Sequence, residues 1–277
     1  MERLSLADAV HFAREALEGG EPLVGLTVLE SFDGGPAPGE RMCVWADRAA
    51  GSFGDANLDE AAIRISRRAL AEGERAGPRT VEAEGRRISV YLEPHLPPPE
   101  LVIVGAGHVA RPLCTVAAML GFRVTVLDDR PEFATRERFP EAAEVRPADF
   151  GDPLRGVRIG ARTYLVLVTR GHKYDFEALR DVLHRPEVPA YVGMIGSRRR
   201  TRAALEQLAR DGVAEERLRA VHAPIGLDVN AETPEEIAVA IGAELVMARR
   251  GGTGRPLRDL ERVAERWIRP SGEASEA

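Results

Sequence analysis

A chain of 277 residues is long enough for two domains, and 44% hydrophobic with 30% charged residues is the balance of an ordinary soluble globular protein. A net charge of −6 speaks against a nucleic-acid or membrane-surface binder, and no apolar run reaches the ~18 residues of a membrane span. Two cysteines, Cys43 and Cys114, supply neither a disulfide framework nor a zinc site by themselves. The opening "MERLSLADAVHFAREALEGG" mixes acids with an amphipathic period, wrong for a secretory signal, so the expected setting is the reducing cytoplasm.

The first predicted helix runs from about Leu6 to Glu18, with Ser5 as N-cap, Asp8 three residues on and Gly19-Gly20 as the stop. "LVGLTVLESF" and "RMCVWAD" read as strands joined by the Gly/Pro turn "DGGPAPGE". "GSFGDANLDEAAIRISRRALAEG" begins as a glycine-rich loop and turns helical near Leu58, its apolar face at Leu58, Ala61, Ala62, Ile65 and Ala69. "RRISVYLEP" is a further strand. These pieces make a small amino-terminal α/β domain over residues 1–93. The stretch "EPHLPPPE" then stiffens the chain, because consecutive prolines extend neither a helix nor a central strand; residues 94–100 are the expected linker.

Strands and helices alternate over residues 101–277. The strands are "LVIVGAG", "FRVTVLDD", "AEVRP", "TYLVLVT", "PAYVGMIG" and "LRAVHAPI". Helices are expected at Val109–Leu120 and near 174–184, 197–210 and 234–249, with a short one in "PEFATRERF" and an amphipathic stretch near 257–268. Near-continuous apolar strands between helices predict a doubly wound parallel sheet covered on both faces. In such sheets ligands bind outside the carboxyl ends of the strands.

Five stretches fall at that edge. "VIVGAGHVARPL" places Gly105, Gly107 and Ala110 in a G-x-G-x-x-A pattern, which lets backbone N–H groups approach a phosphate; His108 and Val109 complete the turn. Asp128 lies 23 residues after Gly105, where the ribose-binding acid of such folds belongs. Asp129 beside it is either a second carboxylate toward a sugar or pterin-like ring or an N-cap ahead of Pro131, and Arg130 follows. "TRGHKYD" carries Thr169, Arg170, His172, Lys173 and Asp175, the last also a plausible N-cap. In "MIGSRRR", after Gly196, Ser197 is a good N-cap, yet Arg198, Arg199 and Arg200 crowd the positive end of the helix dipole. An anion held there would explain them; a solvated basic turn is the plain alternative. Asp228 and Asn230 sit in the loop before Thr233-Pro234-Glu235-Glu236, a helix start explained by capping alone.

Together "GAGHVARPL", "LGFRVTVLDDRPEFATRERFP", "YVGMIGSRRR" and "PIGLDVNAETPEEIAVAI", in this order over residues 101–247, resemble the XdhC/CoxI family. The resemblance implies a Rossmann-like carboxyl-terminal domain and a smaller amino-terminal one. It also implies an accessory protein, often a homodimer, that binds molybdenum cofactor and assists its sulfuration and insertion into an apo molybdenum hydroxylase, such as xanthine or CO dehydrogenase. A cysteine desulfurase is a further implied partner, and a carrier role is favoured over turnover. Two departures stand out: "GSFGDANLDEA" lacks the "GGC" cysteine of many members, and Arg170 stands where many carry histidine. The glycine motif and Asp128 also suit an NAD(P)-dependent oxidoreductase using His172 or Lys173 for proton transfer, or a non-catalytic nucleotide sensor.

Overall fold

A computed structural model of the chain describes residues 3–32, 34–149 and 151–260. Two compact units divide between Pro98 and Pro99.

In the first unit, α1 (Leu6–Leu17) starts on Ser5, whose hydroxyl oxygen accepts from the Asp8 N–H. Five strands follow: β1 (Leu23–Ser31), β2 (Arg41–Val44), β3 (Ala49–Ala50), β4 (Gly77–Ala83) and β5 (Arg86–His95), ordered β3-β2-β1-β5-β4 and antiparallel throughout. α2 (Ala56–Glu72) begins on the Asp55 side chain, which accepts from the N–H groups of Asn57 and Leu58. Alternation sorts the two faces. Val24, Leu26, Val28, Met42 and Val44 pack with Leu58, Ala61 and Ala62 of α2. Leu23, Cys43 and Trp45 pack with Ala9, Phe12 and Ala16 of α1.

β3 and β4 are additions to the sequence reading. Gly77-Pro78 looks like loop, but Pro78 is tolerable on an edge strand. The local signal is Glu84-Gly85, whose φ of 46° and 79° meet the two-residue hairpin's need for two left-handed residues. β5 also runs on through Glu93 and Pro94 to His95, two residues into the expected linker, because its pairing with β1 continues to Leu23.

The second unit carries a six-stranded parallel sheet: β6 (Glu100–Val104), β7 (Arg123–Asp128), β8 (Glu144–Pro147), β9 (Thr163–Leu167), β10 (Tyr191–Met194) and β11 (Val221–His222). The order β11-β10-β9-β6-β7-β8 is that of the doubly wound dinucleotide-binding sheet, its direction reversing between β6 and β9. Leu101 and Ile103 of β6 face α3 (Ala110–Met119) and α7 (Pro234–Arg250). Val102 and Val104 face α4 (His172–His184) and α5 (Arg198–Arg210). The short α6 (Glu215–Arg219) and α8 (Leu257–Leu260) complete the described elements; the rest of the expected stretch, 261–268, lies outside the described residues. No helix among the described residues is long and apolar enough to cross a membrane.

Two expectations are corrected here. "PEFATRERF" forms separate turns, not a helix. The N–H groups of Phe133 and Ala134 return to Arg130, those of Arg138 and Phe139 to Thr135, and neither turn propagates. The Phe133 ring lies under the guanidinium groups of both Arg130 and Arg138, 3.6 and 4.5 Å from its centroid. These contacts hold a loop shape that local propensity does not encode. "LRAVHAPI" is a strand only at Val221 and His222, since the Ile225 N–H turns back to the Met194 carbonyl and the Gly226 N–H to Glu244.

Candidate functional site

The carboxyl ends of β6, β7, β9 and β10 lie side by side, and the sequence-selected residues sit on the turns that leave them. Gly105 follows β6 with φ of 109°, and a β-carbon there would stand 2.5 Å from the Val168 carbonyl oxygen beyond β9. Only glycine lets the two strand ends meet this closely. Beyond it, Gly107, exposed His108 and Val109 lead into α3. Among the described residues no acceptor reaches the N–H groups of these three, and α3 has no side-chain cap. Pro112, at the third helical position, removes an N–H that would have no intrahelical partner.

Asp128 reaches this turn in a structural role. One carboxylate oxygen accepts from the Ala106 N–H at 2.6 Å and Arg130 Nη2 at 3.0 Å; the other accepts from the Arg130 N–H and Nε at 3.0 and 2.8 Å. Burial alone would raise its pKa, but these bonds outweigh it and hold the carboxyl below its ordinary value. Its acceptor capacity is taken up inside the protein, so Asp128 has little left for a ribose hydroxyl, and Arg130 is committed with it.

Asp129 caps no helix. It accepts from Arg170 Nη2 at 2.7 Å, while its other oxygen is buried without a hydrogen-bond partner. Asp129 follows β7 and Arg170 follows β9, so the ion pair spans the end of β6 lying between them. Arg138 Nη2 adds a bond to the Ala106 carbonyl at 3.3 Å, folding the 131–139 loop onto the glycine turn. Sequence reading missed Arg138; a second cation five residues from Phe133 was the only local hint.

Past β9, Thr169 is held by Asp175. The buried carboxylate accepts from the Thr169 N–H at 3.2 Å and its hydroxyl lies 2.7 Å away. Asp175 is therefore not the N-cap of α4; that place belongs to Gly171, which has no side chain to cap with. His172 opens α4, its side chain outside what is described, and Lys173 is exposed.

Past β10, Ser197 takes the N-cap conformation but its hydroxyl makes no cap bond. The N–H groups of Gly196 and Ser197 meet no acceptor among the described residues. Arg198, Arg199 and Arg200 are exposed and carry no ion pair there, and no acid stands in the first turn of α5. Beneath them Thr201 is 4% exposed and its hydroxyl has no partner. Asp228 and Asn230 lie on an exposed stretch, Asn230 at φ 56°, and no contact among the described residues ties either to the other candidates.

A buried network unseen in the sequence anchors the neighbouring loop. Glu244 of α7 accepts from Tyr191 Oη at 2.9 Å and the Gly226 N–H at 2.6 Å, and lies 2.8 Å from His222 Nδ1. Burial would raise its pKa; the bonds from His222, Gly226 and Tyr191 bring it below its ordinary value. Residues 191, 222 and 244 are too far apart in sequence for any period to link them.

Both cysteines are buried, and burial pushes each thiol up to about 11, so neither is poised as a thiolate. A concavity of about 680 Å³ opens on the first unit among Glu21, Trp45, Arg67 and Leu70. It holds none of the strand-end residues that the sequence singled out, so the chemistry points to the sheet edge instead.

Comparison with known proteins agrees with this architecture. The XdhC Rossmann domain profile matches residues 101–245 and the XdhC and CoxI family profile matches residues 16–82. A protein of Escherichia coli K12 called YqeB, itself uncharacterized, is 32% identical over 245 residues, 84% of this chain and 44% of that one. A Bacillus subtilis 168 protein, named as a probable subunit of xanthine dehydrogenase, is 30% identical over 162 residues, 58% of this chain and 46% of that one. The chain thus spans less than half the length of these curated relatives. A crystal structure described as a xanthine dehydrogenase from Bacillus halodurans shares the fold, with a TM-score of 0.52 at 21% identity over 91% of this chain and 99% of that one. With the glycine turn, the 3-2-1-4-5-6 type sheet and both profiles in agreement, the chain belongs to the XdhC and CoxI family.

Proposed function

We infer that this protein is an accessory factor of molybdenum hydroxylases. It holds molybdenum cofactor by its phosphate on the sheet edge and helps deliver the sulfurated form to an apo-enzyme of the xanthine or CO dehydrogenase type. Family membership and the name of the Bacillus subtilis relative support the client; the edge supports the cofactor. One observation carries the binding role: among the described residues, the N–H groups of Gly107, His108 and Val109 stand without acceptors above a turn only glycine can make. That is a phosphate cradle, and its donors fit the phosphate of a pterin cofactor. Asp129, with one buried oxygen that takes no hydrogen bond and lies 3.9 Å from Arg130 Nε, suits a ring or sugar N–H or O–H donor.

Neither thiol of this chain suits a sulfur carrier, so the sulfur comes from a partner such as a cysteine desulfurase. This chain's part is to bind and shield, and it works as a homodimer in the cytoplasm. A competing role as an NAD(P)-dependent oxidoreductase draws on the same strand order, but it needs ribose contacts from Asp128 that four donors already take. The test is the ligand that the full chain carries when purified from cells making the cofactor. Pterin fluorescence after release and oxidation is the expected result. Nicotinamide absorbance would favour the oxidoreductase, and a retained nucleotide without turnover the sensor.

A further inference from the structure

We propose that the first turn of α5 is a second oxyanion subsite, separate from the glycine turn, and that Thr201 is the residue that selects for it. The inference rests on the cofactor-binding role above and adds to it that the ligand carries two anionic groups. Three observations meet at this turn. Its backbone N–H groups and Ser197 hydroxyl are not used in a cap. Its three guanidinium groups are exposed and unpaired among the described residues. The Thr201 hydroxyl, in a residue 4% exposed, has no hydrogen-bond partner, although a buried helical threonine ordinarily returns its proton to the preceding turn.

Thr201 lines a cavity of about 20 Å³ with Gly196, Ile195, Arg200 and Asp175. That is room enough for one oxygen of a small anion. Gly196 leaves the wall open, since a β-carbon there would stand 3.6 Å from the Thr201 hydroxyl. An oxyanion seated on the Arg198 and Arg199 N–H groups puts one oxygen into this cavity, where the hydroxyl donates to it, while a guanidinium closes over the others. The glycine turn cannot supply the same anion's contacts. β9 lies between β6 and β10, so the two strand ends are about 10 Å apart, roughly two strand spacings, and α3 and α5 leave them on opposite faces of the sheet. A single phosphate spans far less, so the ligand is extended.

The experiment titrates inorganic phosphate calorimetrically into the full chain, alone and with saturating ADP as the probe for the glycine turn. Wild type is expected to bind phosphate with ADP already bound. Thr201→Val, which keeps shape and removes the hydroxyl, is expected to weaken phosphate about ten-fold or more, the loss of one charge-assisted hydrogen bond. It should leave ADP affinity unchanged and Tm equal or higher, since a hydroxyl serving only the fold would lower it; Thr201→Ser should restore phosphate binding. Unchanged phosphate affinity in Thr201→Val overturns the subsite, as does complete displacement of phosphate by ADP. If ADP fails to bind while phosphate remains sensitive to Thr201, the glycine-turn role falls and the subsite stands.

Discussion

Helix starts in this molecule are built in two ways. α1, α2 and α7 begin on side chains that accept from the first-turn N–H groups: Ser5, Asp55 and Thr233, the last in a capping box with Glu236. Each also carries an acid in its first turn. α3, α4 and α5, which leave the ends of β6, β9 and β10, have no side-chain cap at all. The three uncapped starts follow the carboxyl ends of neighbouring or near-neighbouring strands of one sheet. Four orphan N–H groups at a helix start cost stability unless something accepts from them. The five-residue α6 is uncapped as well, on Ala214, but only along this edge does the chain withhold a side-chain acceptor three times side by side, and there the acceptor is expected from outside.

The comparison breaks most severely at Gly105. An alanine there would place its β-carbon 2.5 Å from the Val168 carbonyl at a backbone angle that alanine avoids. We expect Gly105→Ala to cost about 3 kcal/mol or more in denaturant unfolding and to abolish ligand binding with it. A loss of binding at full stability would mean that the turn is not held by β9. Asp128→Asn comes next, at about 2–3 kcal/mol, because a buried carboxylate bonded to a guanidinium and two N–H groups loses its charge. The folded pKa of Asp128 lies below its ordinary value. Its contribution is therefore complete above the unfolded pKa, near 3.8, and is lost as pH falls through the lower folded one. The gap in unfolding free energy between wild type and Asp128→Asn should be constant at neutral pH and close as acid is added below that point. A gap that widened in acid would show that the carboxyl is not charged in the fold.

Most of the second unit was legible because its information is local. Apolar runs such as "LVIV" and "TYLVL" can only be covered strands, and Thr233-Pro234 with Glu236 announces a helix start. What was not legible depends on partners distant in sequence. Asp128 sits at the spacing of a ribose acid, but Arg130 and the Ala106 N–H decide what its oxygens do. Asp175 looks like a cap and instead holds Thr169. Arg170, a departure from the family at one position, becomes intelligible only when Asp129 is found 41 residues away in sequence and 2.7 Å away in space. Thr201 reads as an ordinary helical residue until the cavity beside it is seen.

The smallest effects test the comparison most directly, since they exchange the two kinds of start. Thr233→Ala removes a working cap and should cost about 1 kcal/mol while leaving phosphate binding untouched. Ser197→Asp does the reverse at the uncapped α5. The carboxylate can accept from the first-turn N–H groups and faces the helix dipole, with Arg198, Arg199 and Arg200 beside it, so stability should rise by about 0.5–1 kcal/mol. The same carboxylate occupies the place of the external anion, so phosphate affinity should fall as stability rises. Those opposite signs in one variant are what an edge kept open for a ligand requires. If Ser197→Asp changed neither quantity, the N–H groups of α5 would be satisfied by water, and the missing caps would have no functional meaning.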